Sequence, residues 1–381
     1  MRPQVLIEGE NIYQAMVNFL AQKLAGNCKR LENDPVFRRE FYREMGACGI
    51  MGMAGPKPYG NSFSFRRMAS IFEEVAKSSV GLAISLAAHT ICVYMIGRWG
   101  SDAQKKRLLP ALCRGEKLGA FCLTEPKTGS DAKNLGMRAV SAPQGYTLQG
   151  TKTFVTNGGE ASVYIVLARV KCPDEDNPGG GKITAFIVED TVANLAIKPY
   201  REQKVGFGSF PIALLCFRGS VVAKENRLGE EGEGFRLAMK TLEVSKVNMG
   251  AIGVGLAEAA YRSAVAYARR RKQFSRRIAD FQAVQFMIVD MYTKIKAARL
   301  LVRDAAEQFD TGRAEGYESA MAKCYATDIA IQVVTDAAQV LGGAGLLVHS
   351  LEKNLWEAKL LQILEGTNQI QRMIIARHLL E

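Results

Sequence analysis

The chain changes texture twice, and those two changes restrict its fold more than any single motif does. Up to about residue 118, apolar residues recur at spacings of three and four, as in "NIYQAMVNFLAQKLAGNCKRL" and "FSFRRMASIFEEVAKSSVGLAISLAAHTICVYMIGRWG". That is the period of helices with one buried face. Between about 119 and 228, short β-branched runs take over ("GYTLQGTKTFVTNGG", "SVYIVLARV", "KITAFIVED", "FPIALLCFRGSVV"), separated by Gly, Pro and Asn. From "GEEGEGFRLAMKTLEVSK" onward the helical period returns in four or five long segments. The pattern predicts an α+β chain in three parts: an all-α domain over 1–118, an antiparallel β domain over 119–228 and a helical bundle over 229–381. The "KCPDEDNPGGGK" stretch reads as a loop or hairpin tip.

Strands and helices do not alternate, so a doubly wound dinucleotide-binding sheet is disfavoured. The stretch "NMGAIGVGLAEAAY" (248–261) agrees: its glycines at 250, 253 and 255 miss the G-x-G-x-x-G spacing and follow no strand. They read as small residues that let helices approach closely. The eight cysteines include no C-x-x-C pair, the three histidines (His89, His349, His378) lie far apart, and no G-x-S-x-G elbow occurs. A zinc ribbon, a dithiol site, a histidine-rich metal site and that serine-hydrolase signature are therefore not encoded. Each histidine reads as structural or surface-lying. No stretch approaches the ~20 uninterrupted apolar residues of a membrane span, and the N-terminus carries no leader pattern, so a cytoplasmic location is expected. A net charge of +12 fits nucleic acid, an anionic membrane face, or an acidic substrate or partner. Its densest run, "ARRRKQFSRR" (268–277), also fits a solvated helix face.

The segment "LLQILEGTNQIQRMII" (360–375) sets Glu365 and Gly366 in apolar surroundings. A carboxylate losing hydration finds a partner, rises in pKa, or serves as a base for something bound beside it.

Four separated motifs, "FCLTEPKTGSD" (121–131), "FVTNGG" (154–159), "RRKQF" (270–274) and "LQILEGTNQIQR" (361–372), together resemble the acyl-CoA dehydrogenase flavoproteins. "GEEGEGF" (229–235) and "QVLGGAG" (339–345) support the likeness, which spans essentially the whole chain. The resemblance implies FAD as cofactor and α,β-desaturation of an acyl thioester, with Glu365 in the position of the catalytic base of short- and medium-chain members. Should Glu365 not serve, Glu243 is the next candidate. The resemblance places Phe121, Leu123, Thr124, Gly129, Ser130, Phe154 and Thr156 around the flavin. It assigns Arg271, Gln273, Phe274, Gln282, Gln339, Gly342, Gly343, Thr367 and Gln369 to the ADP portion of FAD. Because in relatives part of that set serves a neighbouring subunit, a homotetramer built from dimers is expected. Ser130, Glu243, Lys246 and Gly366 are implied at the substrate.

Phe154 stands where tryptophan is commoner, and Lys246 where arginine is usual; a lysine keeps the charge without the bidentate fork. The family's "P-E-E-Y-G-G" reads "PKPYGNS" (56–62), and its "R-D-A" reads "WEA" (356–358). An electron-transfer flavoprotein is the expected acceptor. Three other readings stay open: a dehydrogenase of acyl or aminoacyl groups tethered to a carrier protein, an oxygen-using oxidase, and a DNA-associated flavoprotein.

Overall fold

The computed structural model describes residues 9–171, 181–200, 210–347 and 349–381; most of the expected 171–182 loop lies outside them. Contacts divide the chain into two compact units. The first is drawn from Met1–Phe63, Ile84–Lys204 and Ser209–Leu242, the second from Ser64–Ala83, Val205–Gly208 and Glu243–Glu381.

The helices before the sheet are α1 (Gly9–Lys23), α2 (Cys28–Asn33), α3 (Pro35–Ala47), α4 (Phe65–Ser78), α5 (Val80–Trp99) and α6 (Asp102–Cys113). Their starts follow from capping chemistry. Asp34 accepts from the amides of Val36 and Phe37, with Pro35 at the first helical position. Ser101 and Gln104 form a capping box at α6. Helix α5 is long and apolar enough to span a membrane by composition, yet 89% of its most apolar window is buried inside the protein, as in a core helix.

The strands are β1 (Gly119–Cys122), β2 (Arg138–Ala142), β3 (Gly145–Thr156), β4 (Val163–Lys171), β5 (Lys182–Glu189), β6 (Leu195–Pro199), β7 (Ile212–Ala223) and β8 (Arg227–Leu228). They form one sheet in the order β6-β7-β3-β2-β4-β5-β8, with β1 also on β4. Most pairs are antiparallel, as the strand-turn-strand spacing suggests, but β1 and β2 both run parallel to β4. They share one edge of β4 end to end, β1 at Val163–Val166 and β2 beside Arg169–Lys171. Strand periodicity gives no pairing direction, so the sequence did not expose this. Alternate residues of β4 enter two cores. Val163, Ile165 and Leu167 pack with residues of α5 and α6, while Tyr164, Val166, Ala168 and Val170 pack with Tyr146, Phe186 and Phe217. A strand buried on both faces reads as the continuous apolar run seen in "SVYIVLARV".

The second unit holds α4, most of α7 (Gly234–Arg270), the ribbon β9 (Lys272–Gln273) and β10 (Arg276–Arg277), then α8 (Gln282–Asp310), α9 (Tyr317–Leu341), α10 (Gly343–Leu347), α11 (His349–Leu361) and α12 (Asn368–Leu380). The α7 glycines mark close approaches, as their spacing suggested. A Cβ on Gly255 would lie 2.4 Å from the Glu73 carbonyl oxygen on α4, and one on Gly253 would lie 3.0 Å from the Ala326 carbonyl oxygen on α9.

Candidate active site

Glu365 lies in the connection between α11 and α12, in the second unit. It has φ +55°, followed by Gly366 at +83°. Two successive left-handed residues turn the chain sharply, and at Gly366 a Cβ would meet Gln371 Nε2 at 2.8 Å. The turn is held by side chains beneath it. Gln371 Nε2 donates to the carbonyls of Glu365 (3.2 Å) and Gly366 (2.8 Å). The Lys323 ammonium donates to the Gly366 carbonyl (2.9 Å) and to Asn368 Oδ1 (2.8 Å). The Asn368 amide nitrogen donates to Asp328 Oδ1 and Thr327 Oγ1, and Arg372 pairs with Asp328 at 2.5 Å. Thr367 caps α12 by accepting from the Ile370 amide.

The Glu365 carboxyl is poised by this setting. Among the described residues its buried Oε2 has no hydrogen-bond partner, and the same holds for Ser245 Oγ on α7. Desolvation pushes its pKa up to about 7, against the pull of Lys323, the nearby Ser245 hydroxyl and Lys246. This is the rise expected from its apolar neighbours. Burial lowers the pKa of both lysines, that of Lys323 to about 8, and the Glu365 charge opposes the shift in each. The structure therefore brings Lys246 to the Glu365 environment. Glu243 stands on α7 with its side chain against Gly316 and acts electrostatically on Lys246.

In the first unit, residues named for the flavin gather on two adjacent segments. Phe121 and Leu123 are half-buried against the α5–α6 side of the sheet. The Thr124 carbonyl accepts from the Thr153 amide (3.0 Å), tying the loop after β1 to β3. Glu125 and Thr128 exchange backbone hydrogen bonds, leaving Gly129 and Ser130 exposed on the following turn. Beneath the loop, buried Lys152 donates to Glu125 Oε1 (2.7 Å) and the Leu123 carbonyl (2.9 Å). Glu125 accepts from the amides of Gly136 and Met137. A buried ion pair whose partners both make further hydrogen bonds to the backbone orients a loop well.

Phe154 sits in a β3 irregularity between Lys152 and Val155 with φ +53°. A bulky residue in that region is uncommon. Its ring is 66% exposed and stacks on Tyr200 at 5.7 Å and 20°. Thr156 ends β3, half-buried.

The residues named for the ADP portion lie in the second unit on separate elements. Arg271 and Gln273 are exposed at and before the β9–β10 ribbon. Phe274 forms its tip with φ +50° and 87% exposure. Gln282 opens α8, Gln339, Gly342 and Gly343 lie exposed at the end of α9, and Gln369 is exposed on α12. The sequence reasoning missed Lys323, Asn368, Ser245, Lys152 and Tyr200. The first had a signal: a lysine inside the apolar stripe of "SAMAKCYATDIAIQVV".

Three family models match in order: the N-terminal, middle and C-terminal domains of acyl-CoA dehydrogenase, over residues 8–116, 120–220 and 232–380. The chain belongs to the acyl-CoA dehydrogenase family. It is 37% identical over 366 residues to an acyl-CoA dehydrogenase of Bacillus subtilis, covering 95% of each chain. The solved butyryl-CoA dehydrogenase of Megasphaera elsdenii superposes with a TM-score of 0.91 at 36% identity, covering 100% of both chains. An acyl-CoA dehydrogenase of Bacillus anthracis solved with FAD has a TM-score of 0.89 at 29% identity, covering 99% of this chain and 67% of that one. As an acyl-CoA dehydrogenase, the protein is an oxidoreductase. Its first unit fits a planar aromatic cofactor: the exposed Phe154 face offers stacking, and the buried Thr128 Oγ1 on the loop after β1 has no hydrogen-bond partner among the described residues.

Proposed function

We propose that the protein desaturates the Cα–Cβ bond of an acyl-CoA with FAD as cofactor, Glu365 being the base. The observation that carries this is the buried Glu365 oxygen without a partner, on a carboxyl whose pKa is about 7. A thioester α-proton is weakly acidic, and a base near neutrality combines sufficient strength with availability. FAD, when bound, accepts the hydride leaving Cβ. The chain's own residues do the rest. Glu365 Oε2 takes the α-proton, and Lys323 and Lys246 stabilise the carboxylate before it does so. The Lys152–Glu125 pair fixes the loop that carries Thr124 and Ser130, and Phe154 with Tyr200 supplies an aromatic wall. Arg271, Gln273, Phe274, Gln282, Gln339, Gly342, Gly343, Thr367 and Gln369 hold the ADP portion, and Lys246 and Gly366 line the substrate beside Glu365. An electron-transfer flavoprotein takes the electrons onward.

Likeness to a butyryl-CoA dehydrogenase makes a short acyl chain the first to test. Anaerobic mixing of the FAD-loaded protein with an acyl-CoA series, and with the same acyl groups on a carrier protein, should bleach the flavin with short CoA esters. Bleaching by carrier-bound groups alone would overturn the CoA assignment. Glu365→Gln should keep its flavin and lose about 100- to 10,000-fold in rate; near-normal turnover would overturn the role of Glu365.

A further inference from the structure

Among the described residues Lys323 is one of two fully buried lysines, and a counter-charge for Glu365 does not by itself explain why its ammonium is bonded to the turn. It rises from the second turn of α9, where the flanking residues Ala320, Ala322, Cys324, Ala326 and Thr327 are all buried. Placing an ammonium there costs several kcal/mol unless its protons are matched. All of its contacts go to one structure: the Gly366 carbonyl at 2.9 Å, Asn368 Oδ1 at 2.8 Å and the Gln362 carbonyl at 3.4 Å. These acceptors belong to the chain that enters, forms and leaves the Glu365–Gly366 turn. Thr327 and Asp328, on the same helix, hold the Asn368 side chain from its other end. Asn368 is thereby fixed with its oxygen toward Lys323.

We propose that Lys323 is a positioning residue for Glu365: its buried ammonium clamps the left-handed turn through Gly366 and Asn368 and keeps a counter-charge beside the carboxyl. This rests on Glu365 being the base. The charged groups around that carboxyl come from three helices. Lys246, with Glu243 behind it, stands on α7; Lys323 and Asp328 stand on α9; Arg372, paired to Asp328, stands on α12. Ser245 on α7 contributes a hydroxyl, and Cys324 on α9 a thiol beside Lys323. Arg372 also donates to the Asn368 carbonyl at 3.3 Å, but of the cations in this set Lys323 is the one that bonds to the Gly366 carbonyl, next to the base itself. A purely structural lysine could be replaced without altering how Glu365 titrates; a clamp with a counter-charge could not.

The test is Lys323→Met and Lys323→Gln in the FAD-loaded protein, read by the pH dependence of kcat and by infrared titration of the carboxyl band that disappears in Glu365→Gln. Removing the cation disfavours the carboxylate, so both midpoints should move to higher pH by about one unit or more. KM should change less than kcat, because the ammonium bonds to the turn. Lys323→Gln keeps a donor for the Gly366 carbonyl and serves if Lys323→Met does not fold. A midpoint equal to the wild type in either folded variant overturns the proposal. Full activity of Glu365→Gln would instead overturn the base assignment, whatever the Lys323 variants do.

Discussion

Two buried titratable residues pull stability in opposite directions as pH changes. His89 is fixed as a neutral ring, with one nitrogen accepting from the Gly119 amide and the other donating to the Met51 carbonyl. Burial lowers its pKa from 6.5 to about 4. In the unfolded chain it takes a proton near pH 6.5, so its contribution is full above that pH and is lost on acidification toward 4. Glu365 has the opposite sign. Its folded pKa of about 7 exceeds the ordinary glutamate value of 4.5, so the contribution is full below 4.5 and is lost as pH rises to about 7. The windows overlap and the two effects offset each other. Thermal melts of Glu365→Gln between pH 7 and 5 should therefore fall more steeply on acidification than those of the wild type; parallel curves would contradict the reading of Glu365. For the uncomplexed enzyme, kcat/KM should rise with pH through about 7, as the base loses its proton.

At the level of elements, the glycines of α7 belong to packing. Gly255→Ala places a methyl 2.4 Å from the Glu73 carbonyl oxygen, and separating α4 from α7 should cost about 1–3 kcal/mol. Urea unfolding would show it as a lower midpoint with little change in slope. Losing the Ser101 side chain from the α6 capping box should cost about 1 kcal/mol in the same assay. This helix-packing role was legible in the sequence because the glycine spacing failed the nucleotide fingerprint. The helix-sheet-helix order was legible too, since the apolar period changes from 3.6 to 2 and back. The parallel seating of β1 and β2 on β4 was not, because alternation specifies a face and not a partner. At the site, the apolar neighbours of Glu365 could be read directly. Lys323 could not be joined to it, because the two stand 42 positions apart and meet only through the register of α9 against the turn.

The whole molecule carries a net charge of +12 and some conspicuously exposed apolar side chains, including Phe274 at 87% and Leu346 and Leu347 at 84% and 87%. Under the proposed function this exposed ribbon tip, held at positive φ, meets the cofactor of a second copy of the chain. Phe274→Asp should lower the assembled mass by light scattering and reduce flavin retained on gel filtration; unchanged values would mark the tip as free surface. A last consequence follows from the backbone at Glu365. Its left-handed conformation suits glycine far better than glutamate, by about 1–2 kcal/mol, and its carboxyl is buried without a partner for Oε2. Glu365→Gly should therefore melt above the wild type while catalysing nothing, a result checked by calorimetry beside turnover. Selection for heat resistance alone would erode this protein first at the residue its proposed chemistry needs most, so the site persists against a thermodynamic gradient and only continued use maintains it.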